Sequence, residues 1–372
     1  MAEFDPNALN ALRAQLDQVD ADLVALAARR QEIVSAIGQL KQGVGRQVRD
    51  FRRERQVLDH VRRRALETGL DPDLAEDLLK RLIDASLARQ EQERGQRSGR
   101  GRGQQALVIG GAGRLGGWLA DFLDNQGFRV LLADPALDDE PDEGRYSDWL
   151  KAPATVDLTV VACPIAVSKG IIETLAERRQ PGLVLEVASV KSGLIDTLRR
   201  CAANGLSICA AHPMFGPDTR LLAGRNVLLM DVGCAAAVDG ARALFDDTMA
   251  EVHEIDIERH DRLMALVLGL SHALNIAFFS ALARSGLSAD ELNAAASTTF
   301  ARQLTIARDV AAENPALYFE IQSLNDHGKW SRELLEDAVR VLSKAVDEGR
   351  QETFVEVMGE GRKYLERLGG EV

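Results

Sequence analysis

The stretch ALVIGGAGRLGGWLADFLDNQGFRVLLADP, residues 106–135, determines the fold of the middle of this 372-residue chain. A short apolar run ends in glycines, a helical segment follows, and a second apolar run ends at Asp134. This order predicts a strand, a helix and a second strand parallel to the first. Further apolar runs ending in turns follow before residue 213, which predicts a parallel α/β sheet covered by helices on both faces.

The turn after the first strand carries glycines at the spacing of a dinucleotide-binding loop. Such glycines let the backbone approach a pyrophosphate at the helix N-terminus, and an acid that ends the second strand bonds the ribose 2′-hydroxyl. A carboxylate at that point, followed by Pro135 rather than Arg, favours NAD over NADP. The predicted cofactor-binding residues in this unit are Gly111, Gly113, Arg114, Leu115, Gly116 and Asp134.

Helical segments are predicted on either side of this unit. Residues 1–94 show apolar positions at three- and four-residue spacing from Leu9 to Leu40 and no strand-like alternation, so we expect three helices there. The first of these, roughly 50 Å long, exceeds the core of one small domain and implies a partner chain. The predicted organisation is an all-α domain over 1–94, a flexible glycine- and arginine-rich linker over 95–105, a Rossmann α/β domain over 106–256 and an all-α dimerisation domain over 257–372.

Charge and composition exclude several classes of protein. A net charge of -12 is unfavourable for binding nucleic acid. The four cysteines show no CxxC pair and no zinc-ligand spacing, which together with the absence of a signal-like N-terminus predicts a cytoplasmic protein without a structural metal. Residues 263–283 carry no charged side chain but include polar ones, so we expect a helix buried at the centre of a helical domain or of a dimer rather than a membrane span.

His212 ends a later apolar run, within the turn-rich segment AAHPMFGPDT, on the side where an open sheet binds its ligands. An imidazole at this place can remove a proton from a substrate. The alternative is a loop histidine bonded to the backbone.

Two sets of motifs resemble known enzyme families. HPMFGPD (212–218), ASVKSG (188–193) and ERHDRLMA (258–265) resemble prephenate dehydrogenase. ALR (11–13), AARRQE (27–32) and VRDFRRER (48–55) resemble the all-helical class of chorismate mutase. In this order they resemble the bifunctional enzymes of tyrosine biosynthesis, and the resemblance covers almost the whole chain.

The resemblance implies that the helical domain holds chorismate while it rearranges to prephenate. The reaction is unimolecular and needs positioning and charge stabilisation rather than a general acid or a nucleophile. Motif matching assigns to this pocket the catalytic residues Arg13, Arg30, Lys41, Arg53, Glu54 and Gln90 and the substrate-binding residues Asp50 and Ser86.

Helix geometry is consistent with this assignment. Arg30 interrupts the apolar stripe, where an unpaired charge is costly, so it should meet a buried anion. Arg30 and Lys41 lie close to three turns apart on one helix face, whereas Arg13 is rotated by roughly 100° and is expected to serve the other subunit's pocket. Ser86 and Gln90 are one turn apart and can face the same cavity.

For the second site the resemblance implies oxidative decarboxylation of prephenate, with transfer of hydride to the nicotinamide. His212 matches the family's catalytic histidine and must be neutral to accept the hydrogen bond of the ring hydroxyl, so activity should fall at acid pH. We expect Ser189 to orient His212, and Cys163 and Pro164 to line the nicotinamide site.

The ring carboxylate of the substrate should meet an arginine of the last domain. The segment ARQLTIARDVAAENP, residues 301–315, offers Arg302 and Arg308, and the spacing leaves the choice open. His272 is a second substrate-side candidate, or alternatively a core histidine. His260 and Asp261 are expected to be structural, at a domain junction.

These features predict a cytoplasmic homodimer that converts chorismate to prephenate and then oxidises prephenate with NAD. An arogenate dehydrogenase, which differs in the substrate side chain, is the nearer alternative. A non-catalytic NAD-binding sensor is the more distant one, and the presence of Arg30, Lys41 and His212 opposes it. The resemblance also implies feedback inhibition by tyrosine.

Overall fold

The structure is a computed structural model that describes residues 6–42, 51–99 and 101–368. The helices are α1 (Pro6–Gln42), α2 (Phe51–Thr68), α3 (Pro72–Ser98), α4 (Arg114–Asn125), α5 (Ile165–Glu177), α6 (Ile195–Ala203), α7 (Ala235–Ala243), α8 (Ile257–Met264), α9 (Ser271–Arg284), α10 (Ala289–Ala294), α11 (Thr298–Ala311), α12 (Pro315–Ser323), α13 (Gly328–Asp347) and α14 (Gln351–Arg367). The strands are β1 (Gln105–Ile109), β2 (Arg129–Ala133), β3 (Arg145–Tyr146), β4 (Leu158–Val161), β5 (Leu183–Glu186), β6 (Ile208–Pro213), β7 (Asn226–Met230) and β8 (Glu251–Glu254). The predicted succession of an all-α, an α/β and an all-α region is confirmed.

The first three helices form the N-terminal region, with α3 packed against both α1 and α2. Asp71 begins α3 by accepting a hydrogen bond from the backbone N–H of Asp73, as expected of an acid before a proline. One face of α1 keeps its apolar side chains exposed within a single chain, as the prediction of a partner chain requires. The exposed side chains on this face are Leu12, Leu16, Val19, Leu23, Leu26, Ile33 and Ile37.

The connection between α3 and β1 is shorter than the linker predicted over 95–105. Residues 95–98, placed in the linker by sequence, belong to the last turn of α3, and Gln105 already begins β1. One glycine costs a helix only about 1 kcal/mol, so Gly95 alone does not end it. Gly101 is buried against Phe128, where a Cβ at 101 would lie 2.2 Å from the Phe128 ring.

The sheet has the strand order β3-β2-β1-β4-β5-β6-β7-β8, and every neighbouring pair is parallel except β6 with β7. Helices α4 and α7 cover one face, and α5 and α6 cover the other. The central strands read as continuous apolar runs because both of their faces are buried. The strand order reverses between β1 and β4, so a crevice opens beyond the carboxyl ends of these strands.

The C-terminal helices pack around a long apolar helix that starts with α8, passes through a π-helical segment at Ala265–Leu270 and continues as α9. The run Ile257–Arg284 is long and apolar enough to cross a membrane by length and composition. Only 22% of its most apolar window is buried within one chain. The other helices of the same chain therefore cover only part of its surface, and its burial in a dimer stays a prediction.

Glu91 on α3 joins the helical N-terminal region to the sheet domain. Its carboxylate accepts hydrogen bonds from two backbone N–H groups, that of Leu222 at 2.9 Å and that of Met249 at 2.7 Å. Leu222 lies in the loop between β6 and β7, and Met249 precedes β8. A single side chain thus fixes α3 to two segments of the sheet domain.

Replacing Glu91 with Ala is expected to loosen this attachment, because two backbone N–H groups lose a charged acceptor, at a cost of about 1–3 kcal/mol. The expected result is faster tryptic cleavage in the connection after Arg102, with little change in the unfolding of the sheet domain. The matched control is Asp77→Ala, since Asp77 is an exposed acid of the same helix. Equal cleavage rates in the two variants would show that Glu91 does not hold the domains together.

Candidate active sites

The first candidate site lies between α1 and α3. Arg30 donates from Nη1 to the carbonyl oxygen of Leu82 at 3.1 Å and to Oγ of Ser86 at 3.0 Å. One turn further along α3, Nε2 of Gln90 donates to the carbonyl oxygen of Val34 at 2.7 Å. Ser86 and Gln90 are both buried. The structure thus brings together three of the side chains that the sequence assigns to the chorismate pocket.

Arg30 has no carboxylate partner among the described residues, since its two acceptors are a carbonyl and a hydroxyl. Burial lowers the pKa of its guanidinium from the ordinary value of an arginine. A half-buried cation that is held only by neutral groups still needs an opposite charge. The pocket is therefore suited to an anionic ligand.

The other residues predicted for this pocket are placed less fully. Asp50 lies outside the described residues, as do the side chains of Lys41 at the end of α1 and of Arg53 and Glu54 on α2. Arg13 is exposed on α1, and its side chain makes no hydrogen bond or ion pair in the described parts of the chain. Its contribution to the pocket of a second subunit stays a prediction.

The second candidate site lies along the carboxyl edge of the parallel strands. At the end of β1, Gly110 has a φ of +89°, and a Cβ there would lie 2.4 Å from the carbonyl oxygen of Ala162. At the start of α4, a Cβ on Gly116 would lie 2.0 Å from the carbonyl oxygen of Gly110. Only glycines allow this close approach of helix and strand. Gly110 is absent from the predicted cofactor-binding residues, although the Gly110–Gly111 doublet at the end of the apolar run indicates a tight turn there.

Asp134 follows β2 and faces this glycine turn. Its carboxylate accepts from the backbone N–H of Ala112 at 3.3 Å and from that of Ala136 at 2.9 Å. The N-terminus of α4 opens directly after the turn, so its free N–H groups and positive dipole end are available to a phosphate. The glycine cradle, the helix end and the carboxylate together fit a dinucleotide.

The remaining residues predicted for cofactor binding differ in what their side chains do. The Arg114 guanidinium bonds Asp218 at 2.9 Å and Glu313 at 2.8 Å, so it joins the glycine turn to the loop after β6 and to the end of α11. Leu115 packs into the sheet core. Cys163 and Pro164 connect β4 to α5, and burial, with a smaller contribution from Asp134, raises the pKa of the Cys163 thiol to about 11.

His212 lies near the end of β6, on the same sheet edge, and is 4% exposed. Its Nδ1 lies 2.9 Å from Nε2 of His260, and Nδ1 of His260 lies 2.6 Å from Oδ1 of Asp261. Burial lowers the pKa of His212 well below that of an ordinary imidazole, and the His260 ring and the Lys191 charge lower it further. His212 is therefore neutral at physiological pH, as a proton acceptor must be.

Ser189, the predicted orienting residue, makes no hydrogen bond to His212 in the described chain. The ring that contacts His212 belongs to His260, which the sequence analysis assigns to a domain junction. His260 is fully buried at the start of the C-terminal helices, on α8. Sequence reasoning did not identify it as a partner, because 48 residues separate the two rings and only the packing of α8 against the sheet brings them together.

A buried ionic network supports this pair. Asp261 accepts hydrogen bonds from the backbone N–H groups of Lys191 and Ser192 and from the Ser192 hydroxyl. The Lys191 ammonium, fully buried, bonds Glu186 at 2.5 Å and the carbonyl oxygen of Ala211 at 2.8 Å. The ASVKSG segment is thus fastened both to α8 and to the residue before His212.

The predicted substrate-side residues of the last domain are not joined into one cluster. The His272 ring stacks on Tyr318 with centroids 4.0 Å apart, and its buried Nδ1 has no hydrogen-bond partner among the described residues. Arg302 and Arg308 are both exposed on α11, and neither side chain bonds another group in the described ranges. The structure leaves the choice between the two arginines open.

Three family models match the chain. They are chorismate mutase type II over residues 12–91, the nucleotide-binding domain of prephenate dehydrogenase over residues 142–254, and the dimerization domain of prephenate dehydrogenase over residues 256–360. The glycine turn precedes the second match, so its assignment rests on the structure.

Similarity to individual proteins is consistent with these family matches. The chain is 28% identical over 316 residues to the T-protein of Enterobacter agglomerans, covering 84% of this chain and 81% of that protein. It is 31% identical over 278 residues to 4-amino-4-deoxyprephenate dehydrogenase of Streptomyces pristinaespiralis, covering 72% and 93%. In fold it is similar to prephenate dehydrogenase of Aquifex aeolicus, solved with hydroxyphenyl propionate and NAD+, with a TM-score of 0.56, 19% identity and coverage of 71% and 98%.

The sheet, its glycine turn and the buried His212 define a nucleotide-dependent dehydrogenase joined to a helical domain with a cationic pocket. The chain belongs to the prephenate dehydrogenase family and carries a type II chorismate mutase domain before it. Its set of domains is that of a bifunctional chorismate mutase and prephenate dehydrogenase. The family predicted from the motifs is therefore confirmed.

Proposed function

We propose that the pocket around Arg30 binds chorismate and promotes its rearrangement to prephenate. The observation that carries this proposal is the half-buried Arg30 guanidinium, which has only neutral acceptors. A substrate carboxylate supplies the missing negative charge, and the arginine fork holds it in a fixed orientation. Ser86 and Gln90 offer polar groups beside it, so the flexible substrate is held in a reactive conformation.

At the second site, His212 accepts the hydrogen bond of the prephenate ring hydroxyl. The hydroxyl proton moves to Nε2 of His212 as hydride leaves the carbon that bears the hydroxyl. Loss of carbon dioxide then makes the ring aromatic, and the proton returns to the ring oxygen to give 4-hydroxyphenylpyruvate. This role depends on the neutral, buried state of His212 at the carboxyl edge of the sheet.

Bound NAD supplies the hydride acceptor. The pyrophosphate of NAD would fit at the start of α4, beside Gly111, Gly113 and Gly116. The carboxylate of Asp134 would accept a hydrogen bond from the ribose hydroxyl. The same carboxylate repels a 2′-phosphate, which favours NAD over NADP. Either Arg302 or Arg308 binds the ring carboxylate of prephenate, with His272 on the substrate side of the cleft.

Assembly and regulation extend this proposal. A homodimer covers the apolar face of α1 and the exposed surface of the 257–284 helix, and the match to a dimerization domain supports it. A second copy also brings Arg13 to the first pocket. Inhibition by tyrosine and a cytoplasmic location stay predictions.

A substrate comparison tests the dehydrogenase proposal. We would supply prephenate, arogenate and 4-amino-4-deoxyprephenate, each with NAD and with NADP, and compare the values of kcat/KM. We expect the highest value for prephenate with NAD, since prephenate is the product of the fused mutase domain. A preference for either of the other compounds assigns the second site to that substrate instead.

The pH dependence of the dehydrogenase follows from His212. The neutral imidazole is the active form, and its pKa lies well below 6.5, because of burial first and then the nearby His260 and Lys191. Lowering the pH removes the active form only when it passes this lowered pKa. We therefore expect kcat for prephenate oxidation to stay level as pH falls through 6.5 and to decline only below it. An inflection at or above pH 6.5 would contradict the buried neutral state.

A further inference from the structure

His212 is connected to a carboxylate through a second imidazole. Nδ1 of His212 lies 2.9 Å from Nε2 of His260, and Nδ1 of His260 lies 2.6 Å from Oδ1 of Asp261. His212 and His260 are 4% and 0% exposed. The chain of contacts runs from β6 to α8 and is shielded from water along its length.

The ionisation state of Asp261 determines which group donates in each of these hydrogen bonds. Burial alone would raise the pKa of Asp261, but hydrogen bonds from His260, Ser192 and the Lys191 backbone outweigh it and lower the pKa. Asp261 is therefore ionised and can only accept, so Nδ1 of His260 carries a proton. Burial also keeps His260 neutral by lowering its pKa, so its Nε2 has a lone pair.

It follows that Nδ1 of His212 must donate to His260. The neutral His212 then has its lone pair at Nε2, the nitrogen that a proton acceptor in the crevice would use. Among the described residues, Nε2 of His212 has no hydrogen-bond partner. The hydrogen bonds from His212 through His260 to Asp261 thus allow only one tautomer of each imidazole.

The charged groups that face the pair agree with this arrangement. The Lys191 ammonium, held by Glu186 and by the carbonyl of Ala211, opposes a proton on either imidazole. Asp261 is the one carboxylate that contacts the pair in the described structure, and it is bonded to His260 rather than to His212. A positive charge that develops on His212 is therefore stabilised through His260.

We propose that His260 and Asp261 are positioning residues of the dehydrogenase, which hold His212 in the tautomer that accepts the hydroxyl proton and stabilise the imidazolium that results. The inference rests on the proposed role of His212 as proton acceptor. The proton moves from the hydroxyl oxygen to Nε2 and returns to the same oxygen, while Nδ1 keeps its own proton and donates it to His260. No further reactant is needed.

The test compares two substitutions of His260 in the full chain. In His260→Gln the amide oxygen can accept from His212 while the amide nitrogen donates to Asp261, so the tautomer is preserved. In His260→Leu both contacts are lost. We expect kcat for prephenate oxidation to fall less than about tenfold in His260→Gln and on the order of 10²-fold or more in His260→Leu, with KM for prephenate little changed.

Two controls separate positioning from general damage. His253→Gln, at an exposed histidine on β8, is the matched control and should behave like the unmodified protein. Cooperative thermal unfolding of each variant reports whether the sheet and the C-terminal helices are folded, and the mutase rate reports on the separate pocket between α1 and α3. If the unmodified protein fails to oxidise prephenate, the proposed function fails, whereas a difference confined to the His260 variants concerns the positioning role alone.

Nitrogen-15 NMR of the histidine rings in the unmodified protein gives a result that does not depend on activity or on folding of the variants. In the unmodified protein we expect His212 to be protonated at Nδ1 and not at Nε2, and in a folded His260→Leu variant we expect a mixture of both forms. The opposite tautomer in the unmodified protein would overturn the inference. So would a kcat for folded His260→Leu within about threefold of the unmodified value.

Discussion

Replacing His212 with Asn is expected to lower kcat for prephenate oxidation by about 10²–10⁴-fold, the range for losing a positioned proton acceptor. Asn can still hydrogen-bond the ring hydroxyl, but it cannot accept its proton at neutral pH. KM for prephenate should change little, because the contact is used mainly while hydride departs. The measurement is the steady-state rate of NADH formation with prephenate as the substrate.

The same variant contains its own control. The chorismate mutase rate of His212→Asn should equal that of the unmodified chain, because Arg30, Ser86 and Gln90 lie in the separate pocket between α1 and α3. A dehydrogenase rate within about threefold of normal would remove His212 from the chemistry. Equal loss of both rates would indicate damage to the fold instead.

Replacing Arg30 with Ala is expected to have a comparable effect on the other reaction. Truncating one partner of a buried charge pair costs about 2–5 kcal/mol, so kcat/KM for chorismate should fall by about 30-fold to several thousand-fold. The loss arises because the substrate carboxylate is left without its cation in a pocket where Ser86 and Gln90 are buried. The measurement is the disappearance of chorismate.

Arg30→Lys separates charge from geometry. Lysine keeps the positive charge but lacks the planar guanidinium, which can hold a carboxylate through two nitrogens, so we expect an intermediate rate. Oxidation of added prephenate should be unaffected in both variants. A mutase rate near normal in Arg30→Ala would mean that the half-buried cation serves the packing of α1 on α3 rather than the substrate.

Features that depend on contiguous sequence were predictable. The glycine turn and Asp134 lie within one strand–helix–strand unit, so their spacing along the chain fixes their positions in space. Arg30 was found because a charge interrupts an otherwise apolar stripe, and α3 then supplies the buried Ser86 and Gln90 opposite it. In both cases a local rule carries most of the information.

Features that depend on packing between distant segments were not predictable. His260 contacts His212 only because α8 packs against the carboxyl edge of the sheet, and the motif around His260 resembles the dehydrogenase family without showing this contact. The Arg114 side chain extends across to Asp218 and Glu313, although its position in the glycine turn suggested a contact with the cofactor. The apolar sequence of the 257–284 helix likewise does not show how much of its surface one chain covers, which is only a part.

A single assay tests whether one chain carries out two consecutive reactions. Purified protein would be mixed with chorismate and NAD, and chorismate and NADH would be followed together. We expect loss of chorismate from the start and formation of NADH after a lag, as prephenate accumulates. Loss of chorismate without NADH would contradict the proposed second reaction, and no loss of chorismate would contradict the first.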